Sequence, residues 1–416
     1  MNSLESPIDL SIVMPCLNEA ETLATCLRKA HAGLARAGVA GEVVVADNGS
    51  TDGSQRLAED GGARVVHVEE KGYGCALRGG IEAARGRWII VGDADDSYDF
   101  SDINGFVEQL RAGHDLVMGC RMPRGGGRVA PGAMPWKNRW IGNPSLSFLG
   151  RLFFRTPIHD FHCGLRGFSR DAYERMALKT TGMEFASEMV MKASRGSMRV
   201  AEVPITLHPD GRSRPPHLRP WRDGWRHLRF MLIYSPRWLF LMPGLVLAAV
   251  GALAAMVIYF QPVHLGGTHL DAGTLAVACA AAIAGVQFVA FACFTKVFAV
   301  NEGLLPPDPR FAKAFRFFQL ERGLLLGAAF SVAGAALLLW SVWLWKESGF
   351  GNLPYSDNLR RVIVATTLIV IGLQVVSSSF FLSVLGLATT SRQARLASTE
   401  EERLAPLPPL PSGSAT

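Results

Sequence analysis

The sequence is poor in the features that mark secreted or metal-stabilised folds. Its 7 cysteines among 416 residues are an odd number, with no C-x-x-C pair and no metal-type spacing, so no disulfide framework is predicted. The N-terminal stretch "MNSLESPIDLSIVMP" has no basic segment followed by a long apolar core, and no cleavable signal peptide is evident. We therefore expect reduced thiols in a cytosolic domain. These thiols are Cys16, Cys26, Cys75, Cys120 and Cys163.

Charged residues are nearly missing from four long stretches in the second half of the chain. They span residues 238–260, 273–300, 323–345 and 362–388, and only Lys296, near the end of the second, is charged. Each is long enough to cross a hydrocarbon core of about 30 Å at about 1.5 Å per helical residue. The helices of a soluble bundle would keep a polar face, which these stretches lack. Four transmembrane helices are therefore predicted.

Basic residues are unequally distributed between the connections of these stretches. The connection 261–272 contains no Lys or Arg, whereas 301–322 contains four. These are Arg310, Lys313, Arg316 and Arg322. By the positive-inside rule the second connection is cytoplasmic, and with four spans the N-terminal domain and the C-terminal tail share that side. Lys346, Arg360 and Arg361 in the last connection weaken this asymmetry.

The soluble part, residues 1–215, alternates short β-rich runs with helical patterns. The runs "LSIVM", "EVVVA", "ARVVHV" and "RWIIV" are each followed by a polar or glycine-rich turn and then a helix-like segment. This alternation predicts βαβ units and a mostly parallel sheet with helices on both faces. Ligands of such sheets bind beyond the carboxyl ends of the strands. Three polar clusters, 15–19, 47–52 and 93–99, follow strand ends and are expected to converge there.

The third cluster is unusually acidic. Asp93, Asp95, Asp96 and Asp99 fall within "DADDSYD", directly after an apolar run. A helix cap needs one carboxylate, and capping remains open for the single Asp52 of the second cluster. Four acids repel one another, and a hard divalent cation held by oxygens would resolve that repulsion. We therefore predict Mg²⁺ or Mn²⁺ here, bridging carboxylates to the diphosphate of a nucleotide.

A glycine-rich turn, "KGYGCALRGG", precedes another predicted helix. It lacks the G-x-G-x-x-G order of a dinucleotide fold, so a plain turn with a helix start remains an alternative. Lys71 and Arg78 flank the turn and would be able to face a diphosphate.

Two segments flank the predicted spans. Seven arginines lie between Arg212 and Arg237, and Arg222, Arg226 and Arg229 follow helical spacing beside a stripe of Trp and Leu. This pattern predicts a basic amphipathic helix within 216–237 at an anionic leaflet, with a solvated linker as the alternative. A nucleic-acid partner is disfavoured because a predicted span follows immediately. The tail, residues 389–416, is charged and then Pro-rich, and is predicted to be disordered.

Six ordered segments between residues 8 and 215 resemble the family 2 inverting glycosyltransferases with a Rossmann-like GT-A fold, and most nearly the polyprenyl-phosphate sugar transferases. They are "SIVMPCLNEAETL", "VVVADNGSTDGS", "KGYGCALRGG", "GDADDSYDF", "DFHCGLRGFSR" and "GMEFASEMVMKASRGSMRVAEVPITLHPDGRSR". The resemblance implies inverting transfer of a hexose from a nucleotide-diphosphate sugar to undecaprenyl or dolichyl phosphate. It also implies an integral protein of a bacterial or archaeal plasma membrane with its catalytic domain in the cytoplasm.

On the donor side, the resemblance implies that Pro15, Asn18 and Glu19 line the base and ribose pocket and that Asp47 contacts the base. Asp93 would contact the ribose or the metal region.

For the metal, the resemblance implies that Asp95 ligates the cation against the diphosphate, with Asp93 and Asp96 as further candidates. Related mannose synthases often have Gln where this chain has Ser97, which leaves the third ligand open between Asp96 and Ser97.

On the acceptor side, the resemblance implies that Arg121 and Arg139 hold the acceptor phosphate and that Arg212 belongs to a mobile loop closing over the diphosphate. Asp160 and Arg166, in the pattern D-x-x-C-G-x-R, would lie near the acceptor. An isoprenoid phosphate is already anionic, so no general base is expected, and nearby histidines are predicted to be structural. They are His159, His162 and His208.

Three alternatives remain beside this hypothesis. In the first alternative, the acceptor is another lipid or a polysaccharide, although the Q-x-x-R-W element of processive synthases is missing. A transporter with a nucleotide-binding domain is disfavoured, because ionisable residues within the spans mark transport paths and are nearly absent here. A non-catalytic scaffold is disfavoured by the intact acids of the third cluster. Homo-oligomerisation remains open.

Overall fold

The computed structural model describes residues 8–213, 220–261, 263–265, 268–301, 320–351 and 355–404. The chain divides into two compact units, Met1–Ser235 and Pro236–Thr416. Two predicted features fall partly outside the described residues. Residues 214–219 include the start of the predicted interfacial segment, and residues 302–319 include Arg310, Lys313 and Arg316, on which the predicted orientation depends.

The first unit is an α/β domain of nine strands and eight helices within the described residues. The strands are β1 Leu10–Cys16, β2 Gly41–Asp47, β3 Arg64–His67, β4 Trp88–Val91, β5 Leu116–Cys120, β6 Arg128–Val129, β7 Arg166–Ser169, β8 Val200–Pro204 and β9 Thr206–Leu207. The helices are α1 Leu23–Ala37, α2 Ser54–Asp60, α3 Tyr73–Ala83, α4 Asn104–Arg111, α5 Asn143–Phe154, α6 Arg170–Met176, α7 Phe185–Arg195 and α8 Pro220–Ile233.

Seven of these strands form one sheet in the order β3-β2-β1-β4-β7-β5-β8, and only β7 runs antiparallel to its neighbours. The central strand β1 pairs in parallel with β2 and β4. Its residues Ile12, Val13 and Met14 are fully buried, because a parallel strand covered on both faces must be apolar throughout. The predicted mostly parallel α/β sheet is confirmed. The carboxyl ends of β1, β2 and β4 lie at one edge.

Helix α8 belongs to the first unit, which extends to Ser235 rather than ending near residue 215. The helix lies within the predicted interfacial segment 216–237 and packs against α5 and α7. Its buried side is formed by Asp223, His227, Phe230 and Met231. The amphipathic character predicted for this segment is therefore present in a helix anchored to the α/β domain.

The second unit contains four long helices among its described residues. They are α9 Met242–Phe260, α10 Ala272–Asn301, α11 Leu320–Glu347 and α12 Tyr355–Leu404. Each includes a stretch long and apolar enough to cross a membrane, which confirms the four predicted apolar helices. A short antiparallel pair, β10 Val263–Leu265 and β11 Thr268–Leu270, lies between α9 and α10.

Glycines allow close contacts between these helices. A Cβ on Gly251 of α9 would lie 2.6 Å from the carbonyl oxygen of Ala278 in α10, and one on Gly334 of α11 would lie 2.6 Å from that of Ala365 in α12. Small residues allow this approach, and in lipid close packing replaces hydrophobic burial as the source of helix association. We call these two sets of contacts the glycine seams, one between α9 and α10 and one between α11 and α12.

The C-terminal tail differs from its prediction. Disorder was expected from residue 389, but α12 continues to Leu404. The sequence from 391 to 404, "SRQARLASTEEERL", is rich in Ala, Arg, Leu, Gln and Glu, which favour helix once an upstream helix has provided the nucleus. The residue before a proline disfavours helix, and the described helix ends two residues before Pro406. Residues 405–416 lie outside the described residues.

Candidate active site

The loops that follow β1 and β2 are joined by side chains. Asn18 has a positive φ of 59°. Its side-chain oxygen accepts a hydrogen bond from the backbone amide of Thr51 at 2.8 Å, and the backbone amide of Asn18 donates to the Ser50 hydroxyl at 2.9 Å. Pro15 pairs with Ala46 where the two strands end. The structure therefore brings Pro15 and Asn18 to the same edge as the second predicted cluster.

Asp47 ends β2 and is buried. Its carboxylate accepts hydrogen bonds from the amides of Gly49 and Ser50, both at 3.1 Å, and from the Gln55 side chain at 2.8 Å. Burial opposes ionisation, but the hydrogen bonds from Ser50, Gln55 and Gly49 outweigh it and lower the pKa of Asp47. Asp47 is thus an ionised group that fixes the shape of its own loop.

Asp52 has the local role that the capping alternative describes. Its carboxylate accepts from the amide and hydroxyl of Ser54, the first residue of α2, at 3.1 and 2.6 Å. It also accepts from the Ala20 amide at 2.9 Å, which adds a second link between the two loops.

The two basic residues of the glycine-rich turn have different surroundings. Lys71 donates to the carbonyl oxygen of Asn48 at 2.7 Å and lies over Gly49, where a Cβ would be 2.1 Å from Nζ. Arg78 instead donates to Glu70 at 2.6 Å. Lys71 is therefore placed at the strand-end edge. Glu70 holds the guanidinium of Arg78, and the expectation that Arg78 faces a diphosphate stays a prediction.

The acidic cluster follows β4. Asp93 accepts a hydrogen bond from the Tyr73 hydroxyl at 3.0 Å, and Asp95 accepts from the hydroxyl of Ser97 at 2.6 Å. Burial, together with the adjacent charge of Asp95, raises the pKa of Asp93 to about 6. The repulsion inferred from the sequence is therefore present between these two carboxylates.

Arg212 neutralises part of this charge. Its guanidinium donates to Asp95 at 2.8 Å, to Glu19 at 3.1 Å and to Asp210 at 3.0 Å. The backbone holds the loop in the same place, because the Gly211 amide donates to the Asp95 carbonyl at 3.0 Å. Three predicted site residues, from the ends of β1 and β4 and from the segment after β9, thus form one cluster.

Asp96 is directed elsewhere. Its carboxylate lies 2.8 Å from Nζ of Lys29 in α1, and its backbone has a positive φ of 63°. Asp96 is thus ion-paired with α1, and its role as a metal ligand beside Asp95 stays a prediction. Ser97, the other candidate, lies against Asp95. Lys29 carries no motif and was missed by sequence reasoning.

Arg121 and Asp160 form a buried pair after β5. Nε and Nη2 of Arg121 donate to the two carboxylate oxygens of Asp160 at 2.7 and 2.8 Å, and the Arg121 amide donates at 3.0 Å. Asp160 is fully buried. Burial lowers the pKa of Arg121, but the charge of Asp160 outweighs it and raises the pKa well above the ordinary value. This geometry fixes a permanent cation directly after β5.

The segment 160–166 connects this pair to the acidic cluster. The Gly164 amide donates to the Tyr98 hydroxyl at 2.9 Å, and a Cβ on Gly164 would lie 2.8 Å from a carboxylate oxygen of Asp93. Any larger residue would collide with Asp93. Tyr73 and Tyr98 were missed as site residues although both lie inside the quoted motifs, because a tyrosine there also suits the core.

Arg166 begins β7 and is buried. It donates to the carbonyl oxygens of Cys163 and Ala186, and within the described residues its Nη2 atom has no hydrogen-bond partner. Burial lowers its pKa. Its side chain lines a small apolar cavity together with Tyr73 and Phe185. Arg166 supports the segment that carries Asp160 and lies under the cluster of Asp93.

Arg139 lies apart from these groups in its described contacts. It belongs to a π-helical turn, Asn138–Gly142, that leads into α5, and its guanidinium lies 5.3 Å from the ring centre of Trp140. His159 hydrogen bonds to Glu202 at 2.7 Å, as expected of a structural histidine.

The described residues contain no group of three or more His, Cys, Asp or Glu side chains arranged to hold a metal ion. Asp93 and Asp95 together offer a two-carboxylate site. Burial and then the charge of Asp95 raise the pKa of Asp93, and a further positive charge would relieve the repulsion between the two carboxylates. Such a pair fits Mg²⁺ or Mn²⁺, which usually take one or two carboxylates and complete their shell with water and phosphate oxygens.

Residues 11–177 match the family described as "Glycosyl transferase family 2", and residues 293–386 match "Glycosyltransferase family 2 C-terminal transmembrane region". The chain is 39% identical over 378 residues to the "Low-salt glycan biosynthesis hexosyltransferase Agl6" of Haloferax volcanii, covering 91% of this chain and 89% of that protein. It is 28% identical to the "Dolichyl-phosphate hexose transferase" of the same organism, over 47% of this chain and 82% of that protein.

Among solved structures, glucosyl-3-phosphoglycerate synthase from Mycobacterium tuberculosis, in complex with Mn²⁺, uridine diphosphate and glucosyl-3-phosphoglycerate, is similar at 20% identity and a TM-score of 0.41. The match covers 54% of this chain and 78% of that one.

Proposed function

The chain belongs to glycosyltransferase family 2, and from that premise we propose that it transfers a hexose, with inversion, from a nucleotide-diphosphate sugar to a polyprenyl phosphate such as undecaprenyl or dolichyl phosphate. The observation that carries the proposal is the cluster of Asp95, Glu19 and Arg212 at the strand-end edge. It offers charges of both signs where a donor diphosphate would leave.

The donor would bind across the ends of β1, β2 and β4. The linked loops of Asn18 and Asp47 provide a fixed surface for the base and ribose, and Lys71 lies at the same edge. Asp95, with Asp93, would hold Mg²⁺ or Mn²⁺, and the bound cation would neutralise charge on the leaving diphosphate. Arg212 would then leave its carboxylate partners and donate to the diphosphate, as a long flexible guanidinium can.

The acceptor would present a phosphate monoester to Arg121. The phosphate oxygen is already anionic at neutral pH, so the domain needs to position it and screen its charge rather than remove a proton. Asp160 fixes the planar guanidinium, which makes the position of the cation reproducible. Arg139, on the turn before α5, would meet the same lipid at the surface.

The surface formed by α5, the turn before it and α8 supports a lipid acceptor. Exposed apolar side chains on these elements are Trp136, Trp140, Ile141, Phe148, Trp221, Trp225 and Ile233. Arg222 and Arg229 are exposed among them. Aromatic and basic residues together suit the head-group region of an anionic leaflet, and in the sequence α8 is followed at once by the first candidate span. The cytoplasmic leaflet of a bacterial or archaeal membrane is the expected location.

Membranes that contain the full chain test the proposal. With Mg²⁺ or Mn²⁺ they should move label from one of a panel of UDP- and GDP-hexoses into a lipid that mild acid cleaves. Asp95→Asn should lower transfer by about 100-fold or more, since electrostatic groups at a leaving site contribute that much. Asp102→Asn, a matched change at an exposed aspartate a few residues on, should leave transfer unchanged.

The result also separates the acceptor alternatives. Label in a mild-acid-labile lipid supports polyprenyl phosphate, whereas label in a polymer or an acid-stable lipid would contradict it. Full activity of the Asp95→Asn protein would contradict the proposed metal site.

A further inference from the structure

Helix α8 buries an unusual polar side chain on its inner face. His227 is 7% exposed and belongs to a helix that packs against α5 and α7. Burial lowers its pKa to about 4, so the ring is neutral at physiological pH. An apolar residue would pack there without the cost of desolvating two ring nitrogens, so the hydrogen bond of this histidine requires an explanation.

This hydrogen bond leads through a serine to a second, half-buried histidine. The Ser187 hydroxyl, at the first turn of α7, lies 2.8 Å from Nδ1 of His227 and 3.3 Å from Nε2 of His162. The two imidazole rings are 4.5 Å apart and meet edge to face. Because a hydroxyl donates one proton and accepts others, Ser187 joins two neutral rings in a single directional chain.

His162 lies in the middle of the segment that shapes the acceptor side. Two residues before it, Asp160 binds Arg121, and two residues after it, Gly164 binds Tyr98 beside Asp93. A parallel link holds the end of the same segment, since Arg166 donates to the carbonyl oxygen of Ala186, the residue before Ser187. The first turn of α7 therefore supports the segment 160–166 at two points.

We propose that His227 is a positioning residue, through which α8 holds the segment 160–166 in the geometry that fixes Arg121 for an acceptor phosphate. The inference rests on the proposed function, since it assigns Arg121 to the acceptor. In this arrangement the helix with the exposed aromatic and basic surface is joined, by three side chains, to the segment that carries Asp160, the partner of Arg121. His227 touches neither substrate and acts through Ser187 and His162.

Two substitutions separate positioning from packing. His227→Phe keeps a planar ring and removes the hydrogen bond, whereas His227→Asn keeps a polar group near the position of Nδ1. We expect His227→Phe to raise the KM for polyprenyl phosphate about tenfold, with the KM for the nucleotide sugar changed less than twofold. Loss of one well-formed hydrogen bond accounts for about that factor. His227→Asn should restore the acceptor KM to within about threefold.

A buried residue of the same helix provides the matched control. Met231→Ala removes packing from α8, where Met231 is fully buried, and deletes no hydrogen-bonding group of the polar chain. The Met231→Ala substitution should lower the thermal stability of the full-length protein while both KM values stay near wild type. Hydrogen exchange gives a readout independent of turnover: His227→Phe should speed exchange in the peptide covering 158–166 and leave the peptide covering β1 unchanged.

The outcomes are distinguishable. If the wild-type protein transfers sugar to no polyprenyl phosphate, the proposed function fails. If it does transfer sugar, the inference is overturned by equal effects of His227→Phe on both KM values, by an equal acceptor effect of Met231→Ala, or by unchanged exchange in 158–166. A selective rise in acceptor KM, with rescue by Asn, supports it.

Discussion

The guanidinium of Arg212 lies 2.8 Å from the carboxylate of Asp95, although 117 residues separate them in the sequence. The same guanidinium reaches Glu19, so one cation connects the ends of β1 and β4. In this arrangement a side chain of the protein provides the positive charge that the acidic cluster requires. A metal ion and Arg212 would therefore compete for Asp95 before the donor arrives.

Substitution of Arg212 tests this competition. In Arg212→Ala, Asp95 loses its cationic partner, so Mn²⁺ should bind the donor-free protein several-fold more tightly, as measured by electron paramagnetic resonance of free Mn²⁺. Transfer should nevertheless fall by about 100-fold, because the arginine no longer stabilises the leaving diphosphate. Lys29→Ala is the matched control, since it frees only Asp96. Unchanged Mn²⁺ affinity in Arg212→Ala would contradict the competition.

The pair of Arg121 and Asp160 gives a second prediction, in which stability and activity separate. Arg121→Ala leaves a fully buried carboxylate without its cation and should cost about 3–5 kcal/mol of unfolding free energy. The double variant Arg121→Met, Asp160→Leu removes both charges and should recover most of that loss.

Neither variant should recover transfer, because no cation remains to receive the acceptor phosphate. Thermal unfolding of the detergent-solubilised chain and the lipid-transfer assay measure the two effects. Recovery of transfer in the double variant would exclude Arg121 from the acceptor site.

His227 and His162 predict a pH dependence of stability. Burial lowers the pKa of His227 to about 4 and that of His162 well below the ordinary value, while Glu184 and Asp223 favour and Arg166 opposes protonation of His227. In the unfolded chain an imidazole has a pKa of about 6.5, so below that pH the unfolded state binds protons that the folded state does not.

The contribution of the neutral histidines to the free energy of unfolding is therefore fully present above about pH 6.5. It is lost as the pH falls towards 4. His227 alone would account for at most about 3.5 kcal/mol, at about 1.4 kcal/mol per pKa unit. Chemical unfolding followed between pH 7.5 and 4.5 measures this, and His227→Asn should flatten the profile. An equally steep profile in that variant would assign the loss to other groups.

Sequence patterns predicted the sheet and its edge because buried parallel strands are recognisable as continuous apolar runs. Ile12 to Met14 must be buried on both faces, and the polar residues that follow can only lie beyond the strand end. The same reasoning placed Asn18, Asp47 and Asp95 at one edge. It depends on spacing along the chain and needs no knowledge of side-chain partners.

The spacing of residues along the chain did not predict which side chains pair with one another. Asp96 is adjacent to Asp95, yet a backbone with positive φ turns its carboxylate to Lys29 of another helix. Arg78 belongs to a motif, yet Glu70 holds it. In both cases a single ion pair decides the direction of a flexible side chain, and the partner lies on an element whose position depends on the whole fold. The contact between Ser187 and His227 was likewise not predicted, since 40 residues separate them.

The glycine seams of the second unit lead to the last prediction. A Cβ on Gly251 would lie 2.6 Å from both the carbonyl oxygen of Ala278 and the amide nitrogen of Ala282, which are backbone atoms that no rotamer change can move. Gly251→Val should therefore force α9 and α10 apart and lower the melting temperature of the full chain by several degrees. In lipid the lost contact is not replaced by hydrophobic burial, because the acyl chains are as apolar as the helices. Gly273→Val, at the start of α10 with nothing within 4 Å of the added Cβ, is the matched control and should melt as wild type does. Equal melting temperatures for the two variants would show that the seam contributes nothing to the stability of the membrane unit.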